Sequence, residues 1–264
     1  MNKKYVIKMR GLYTGHDQPF KISRSQIEAF VECPRCFWLN QRQGIRRPSG
    51  PPFTINSLVD RLLKKEFDAH RLAGTTHPIM AEYGLDAVPF QHVLIDDWRT
   101  NRKGVTWFDP RTNLIIAGSV DDIWQYRQSG QLAIVDYKAT ATSGEVTLDD
   151  DWKVTYKRQM EVYIWLLRKQ KLEVDDRGFF LYANGHDGEE FARKIEFKIS
   201  LLPYTGNCEW IEPTLLRLKA CLIGKLPPRS EDCEFCGYVE ARMCRLTGRS
   251  SSPDTSSWAG TVSS

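Results

Sequence analysis

At 264 residues, 41% hydrophobic and 27% charged, the chain is long enough to bury a conventional core without a disulfide scaffold and is unlike a disordered or fibrous protein. Its 37 basic and 33 acidic residues leave a formal charge of +4, too mild for a protein that coats nucleic acid. No apolar run is long enough to cross a bilayer and residues 1–10 lack the apolar centre of a signal peptide, so a cytoplasmic protein with no membrane partner is expected.

Residues 1–22 lack clean periodicity and carry Gly11, Gly15 and Pro19, which predicts an irregular arm containing Lys3, Lys4, Lys8 and Arg10. Ser25 and Glu28 have capping-box spacing ahead of Ile27, Phe30 and Val31. The helix they predict should end near Cys33, and Pro34 suits the first position of a following turn. Residues 48–52 read as a loop. Asn56 is expected to cap a second helix, in which Leu58, Val59, Leu62, Leu63 and Phe67 repeat at helical spacing to about Gly74. Residues 75–102 give a mixed pattern.

The period then shortens to that of strands over residues 105–108, 114–126 and 132–139, with a turn at Ser129 and Gly130. Helical spacing returns over 150–171. Strands are expected at 179–183 and 195–199, separated by a loop holding Gly185, Asp187 and Gly188. A last helix should run over 213–221 and stop at Gly224. A short cysteine-bearing segment follows Pro227 and Pro228, and the Ser-, Thr- and Gly-rich residues 247–264 are expected to be a disordered tail. The order of elements predicts an α/β fold, a mixed sheet with helices on its faces, in one elaborated domain over 23–246.

Alternation along 132–138 puts Leu132, Ile134, Asp136 and Lys138 on one face, and Ala133, Val135 and Tyr137 on the other. A carboxylate and an amine thus leave an apolar strand together. For an isolated Asp-x-Lys a salt-bridged strand end would be the ordinary reading. Upstream, Gly118-Ser119-Val120-Asp121 ends another apolar run and adds a second carboxylate, with the adjacent Asp122 ranked behind it because alternation points it away. Two neighbouring carboxylates repel unless a divalent cation neutralises them, and hard oxygen ligands suit Mg or Mn. Such an ion polarises a phosphate oxygen and activates water, with Lys138 orienting that water or stabilising charge. On the following helix Gln159 and Tyr163, four residues apart, share a face with Tyr156.

The order Gly-x-x-Asp, Asp-x-Lys, Gln-x-x-x-Tyr resembles the RecB-like branch of the PD-(D/E)XK nucleases, including the CRISPR-associated exonucleases with that core. The resemblance covers about residues 23–244. It implies a restriction-endonuclease-like core and a metal-dependent deoxyribonuclease, an exonuclease acting on single-stranded DNA or DNA ends, with protein partners in a DNA-processing complex. Asp121 and Asp136 would be metal ligands, Lys138 the catalytic lysine, and Gln159 and Tyr163 supports for the site or the DNA. The branch usually carries a metal-binding His on its early helix; here Asp60 stands in that place, as a further carboxylate ligand or a solvated helix residue.

In a reducing compartment, seven cysteines point to metal ligands or core thiols rather than disulfides. Cys33 and Cys36 form one Cys-x-x-Cys pair and Cys233 and Cys236 another, a set that suits tetrahedral zinc or a 4Fe-4S cluster, whereas Cys208 and Cys221 lie in apolar settings. Iron-sulfur members of the branch use one cysteine before a proline and three near the C-terminus, with five residues before the last. Here seven residues separate Cys236 from Cys244, so Cys33, Cys36, Cys233 and Cys236 are expected to bind, with Cys244 the alternative to Cys36. The resemblance implies iron-sulfur; the ligand pattern alone does not choose. A metal here would clamp the two ends of the chain together. Two other functions compete: a non-cutting nucleic-acid-binding or interaction module with the same fold and structural metal, and a redox protein using its Cys-x-x-Cys pairs.

Overall fold

An uninterrupted apolar run such as Leu132–Val135 belongs to a strand covered on both faces, and a strand of that kind lies at the centre of the fold. The computed structural model describes residues 7, 11–15, 18–50, 54–186, 188, 190 and 193–248. The expected basic cluster of the arm, part of the 48–52 loop, Asp187 and the tail beyond Gly248 lie outside the described residues.

The elements in chain order are β1 (Phe20–Ser23), α1 (Arg24–Glu32), α2 (Pro34–Gln43), α3 (Thr54–Ala73), α4 (Pro78–Glu82), β2 (Ala87–Pro89), α5 (Ile95–Trp98), β3 (Val105–Asp109) and β4 (Leu114–Gly118). They continue with β5 (Asp122–Tyr126), β6 (Leu132–Thr140), α6 (Val154–Lys169), β7 (Arg177–His186), β8 (Glu196–Thr205), α7 (Ile211–Ile223) and α8 (Glu234–Thr247). The chain divides into two compact units, one drawn from residues 1–50, 108–115 and 210–264, the other from 51–107 and 116–209.

The second unit is built on a five-stranded sheet in the order β2-β5-β6-β7-β8. All its pairings are antiparallel except β6 with β7, which is parallel and joined by the α6 crossover. One face of β6 carries Ala133, Val135 and Tyr137 into a core with Leu63 and Phe67 of α3. Phe67 stacks on Trp124 at 5.4 Å and meets Tyr137 at 5.8 Å. The opposite face carries Ile134 and Asp136 toward α6. That helix packs so close that a Cβ at Gly178 would come within 2.5 Å of Met160 Sδ and 2.9 Å of the Ile134 carbonyl, so only glycine fits on β7 there. This is the predicted mixed α/β sheet with helices on its faces.

In the first unit α7 packs against α1 and α2. Trp38 Nε1 donates to the Gly224 carbonyl at 3.1 Å and Arg42 to the Leu222 carbonyl at 3.0 Å, which satisfies acceptors that the end of α7 leaves open.

Several boundaries differ from those predicted. The capping box of α1 is Ser23 with Gln26, not Ser25 with Glu28, because β1 ends at Ser23 and hands the chain directly to the helix. Helix α3 begins at Thr54, so Asn56 lies inside it and instead donates its side-chain N–H to the Ala139 carbonyl at 2.8 Å. The run 114–126 is two strands, since β4 and β5 belong to different sheets and Ser119, Val120 and Asp121 carry the chain between them. Strand β7 extends through Gly185 to His186, pairing with a ten-residue β8. The segment after Pro228 holds a 14-residue helix, α8.

Candidate active site and four-cysteine centre

Strand alternation sends Asp136 and Lys138 to the α6 side of β6, and there they meet the residues singled out on that helix. Asp136 is fully buried. One carboxylate oxygen accepts from Gln159 Nε2 at 2.7 Å and the other is ion-paired with the Lys138 ammonium. Gln159 Nε2 also donates to the Tyr163 hydroxyl at 3.0 Å, and the Tyr163 ring lies over Gly118, where a Cβ would come within 2.8 Å of it. Lys138 Nζ stands 4.3 Å from the centre of the Tyr156 ring, whose face favours a cation. The structure therefore brings Asp136, Lys138, Gln159, Tyr163 and Tyr156 together.

Asp121 reaches the same strand from the β4–β5 connection. Its Oδ2 accepts the backbone N–H of Tyr137 at 3.0 Å, which places the carboxylate beside Asp136 in sequence along β6. Its Oδ1 faces Lys64 Nζ at 3.3 Å, and the same ammonium lies 2.9 Å from Asp60. Lys64 thus joins Asp60 to Asp121, so Asp60 is tied to the site through a cation. Burial opposes a charge on Lys64, but Asp121 and Asp60 outweigh it and hold the ammonium above its ordinary range. Asp60, Asn56, Tyr137, Lys138 and Tyr156 line a pocket of about 100 Å³.

Asp122, the first residue of β5, goes the other way. It is fully buried, accepting from Arg71 Nη2 at 2.5 Å, from the Ile123 N–H at 2.8 Å and from the Tyr137 hydroxyl at 2.8 Å. Burial, together with the Asp122 charge, pushes the Tyr137 phenol well above its ordinary range, so it remains a donor. Arg71 also donates to the Phe90 carbonyl and to Asp68, which Arg99 grips with two bonds of 2.8 and 2.9 Å.

Sequence reasoning missed Lys64 and the Arg71–Asp122 pair. The signal for Lys64 was present as the i, i+4 spacing from Asp60 on a helix.

In the first unit, Cys33 is the N-cap of α2 and Cys233 the N-cap of α8, so each Cys-x-x-Cys pair opens a helix and its second cysteine lies in the first turn. The helix N-termini favour thiolates. Hydrogen bonds from the Cys36 thiol and then, against burial, from the Ser230 and Cys36 amides hold the Cys33 thiol below its ordinary range, while Cys36 is raised in exchange, chiefly by Cys33. The sulfurs of Cys33, Cys36, Cys233 and Cys236 all lie within 4.8 Å of one another. Among the described residues no other group of three or more His, Cys, Asp or Glu side chains gathers so tightly. Cys244, Cys208 and Cys221 lie outside it, as expected for the latter two; burial raises Cys208 to about 11 and Cys221 to about 12. Asp60, Asp121 and Asp136 do not form such a group; they are linked through Lys64 and the β6 backbone.

In the second unit the parallel pair thus carries Asp136 and Lys138 beside Gln159 and Tyr163 of α6, with Asp121 reaching β6 from the β4–β5 connection. The chain matches the PD-(D/E)XK nuclease superfamily over residues 54–245, more than half its length, and belongs to that superfamily. No curated protein matches it. Among solved structures it is similar to a candidate exonuclease from Eubacterium rectale, with 17% identity, a TM-score of 0.40, and 83% of this chain and 87% of that one covered. It is also similar to the protein SSO0001, with 12% identity, a TM-score of 0.36, and 80% and 78% covered. No described helix is long and apolar enough to cross a membrane.

Proposed function

We propose that the chain is a divalent-metal-dependent deoxyribonuclease of the RecB-like branch, an exonuclease acting in the cytoplasm on single-stranded DNA or DNA ends. The observation that supports this reading is the bond from the Tyr137 N–H to Asp121, which ties that carboxylate to the β6 backbone between the ion-paired Asp136 and Lys138.

The donor set suits Mg or Mn because carboxylate oxygens are hard ligands. Lys64, lodged between Asp60 and Asp121, supports this: the junction already attracts a cation. Asp121 and Asp136 would hold the ion, with Asp60 a third carboxylate from α3. A divalent cation bound there polarises a phosphate oxygen and makes water a better nucleophile. The chain's own groups do the rest. Gln159 fixes one oxygen of Asp136 and is itself fixed by Tyr163, so the carboxylate cannot rotate away. Lys138, on the pocket lining, orients the attacking water or donates to a phosphate oxygen as negative charge builds. End-labelled single- and double-stranded DNA, incubated with the full chain and Mg or Mn, should be shortened progressively and only when metal is added. DNA that is bound but left intact would favour the non-cutting module.

Lys64 gives a further expectation. Its ammonium competes with the ion for Asp60 and Asp121, so Lys64→Met should lower the Mg concentration needed for half-maximal cleavage several-fold. A metal titration of initial rates reads this directly. A higher metal requirement would show that Lys64 helps to assemble the site instead.

A further inference from the structure

We propose that the four-cysteine centre holds one tetrahedral zinc ion and not a four-iron cluster. A single zinc ion sits about 2.3 Å from each thiolate, which sets the edge of the sulfur tetrahedron at about 3.8 Å. The observed separations are 3.9 Å for Cys33 to Cys236, 3.6 Å for Cys36 to Cys233 and 3.5 Å for Cys36 to Cys236. All four sulfurs lie within 4.8 Å of one another, and none is close enough to be a disulfide. In a 4Fe-4S cluster each cysteine binds a different iron at a corner of the cube, so the sulfurs stand farther apart than a metal–metal edge by an outward bond at both ends. A cradle this tight has no room for that cube.

Ligand identity agrees. Cys244 lies eight residues beyond Cys236 on the same helix, about 12 Å along its axis at 1.5 Å per residue. It reaches the centre only if α8 unwinds, whereas Cys36, in the first turn of α2, is already in contact with both Cys233 and Cys236. The two Cys-x-x-Cys pairs thus complete a tetrahedral set without Cys244. The surroundings also suit four thiolates on one divalent ion, an assembly of net negative charge. Arg47 Nη2 lies 3.8 Å from Cys233 Sγ, and the arginine is anchored by an ion pair with Glu32 and by the Phe235 ring, 4.9 Å from its guanidinium. Zinc held here pins the start of α2 to the start of α8 within the first unit.

The test uses the full chain, produced in iron-replete cells and purified without oxygen so that iron has every opportunity to bind. Metal and acid-labile sulfide analysis should find about one zinc per chain in a colourless protein. Replacing zinc with Co(II) should give the visible bands of a tetrahedral site and thiolate-to-metal charge transfer. Cys36→Ala should lose the metal and Cys244→Ala should keep it. If Cys36→Ala does not fold, Cys36→His should still bind about one zinc, because imidazole is an accepted zinc ligand. Iron, with or without sulfide, would overturn the proposal; so would protein with no metal, or metal lost from Cys244→Ala and not from Cys36→Ala.

Discussion

Asp136→Asn should lower DNA cleavage by about a thousandfold or more while leaving the protein folded. The substitution keeps the shape of the side chain and an acceptor for Gln159, but removes the charge that Asp136 offers an ion and that pairs with Lys138. Charge stabilisation by a bound ion supplies several kcal/mol in the transition state, and each 1.36 kcal/mol is about tenfold in rate. Lys138→Ala should cost a similar amount, and the double variant little more than either alone, because the two groups act as a unit. Single-turnover cleavage of end-labelled DNA measures the loss, and circular dichroism with thermal melting checks the fold. Cleavage within tenfold of the wild type by both single variants would remove Asp136 and Lys138 from the proposed machinery.

What could be read in advance was whatever depends on a short period along the chain. Alternation along β6 sorted Asp136 and Lys138 from Val135 and Tyr137, because a strand offers only two directions; Asp121 and Asp122 do part as expected, but because β5 begins at Asp122 and Asp121 lies in the connection before it. Helical spacing likewise paired Gln159 with Tyr163. The four cysteines were legible from their spacing, since few other structures need two Cys-x-x-Cys pairs.

What escaped depends on distances that sequence does not encode locally. Ser23-x-x-Gln26 and Ser25-x-x-Glu28 are both acceptable capping boxes, and the choice was made by where β1 ends. Lys64 belongs to no motif, and only the approach of α3 to the β4–β5 connection shows it against Asp121. Helix α8 was hidden because it has little apolar periodicity to detect: Tyr238 and Leu246 are exposed, and of its residues only Cys236 is buried.

The two adjacent aspartates should part company when each is changed. Asp121→Asn is expected to abolish cleavage with little change in stability, since its carboxylate lies at the Lys64 junction. Asp122→Ala should do the reverse of a clean catalytic knock-out and destabilise the unit by about 1–3 kcal/mol for each buried donor that loses its acceptor. Arg71, only 5% exposed, would keep Asp68 and the Phe90 carbonyl but lose its 2.5 Å contact, and the Tyr137 hydroxyl would lose its acceptor. Against a total stability of about 5–15 kcal/mol, that loss is a large fraction. Any fall in activity should follow from unfolding, or from loosening of Tyr137, whose N–H holds Asp121. Replacing both partners, Arg71→Met with Asp122→Leu, should recover part of the stability because no uncompensated charge remains. Acid should act on the same network. Burial alone would raise Asp68, but Arg99 and then Arg71 overrule it and hold the carboxylate below its ordinary range. A depressed folded-state pKa contributes stability above the unfolded value, and that contribution is lost as pH falls through the folded one. Urea denaturation of the single and double variants at neutral and acidic pH gives the coupling energy directly. If Asp122→Ala unfolds at the wild-type urea midpoint, the buried pair does not hold this part of the fold together.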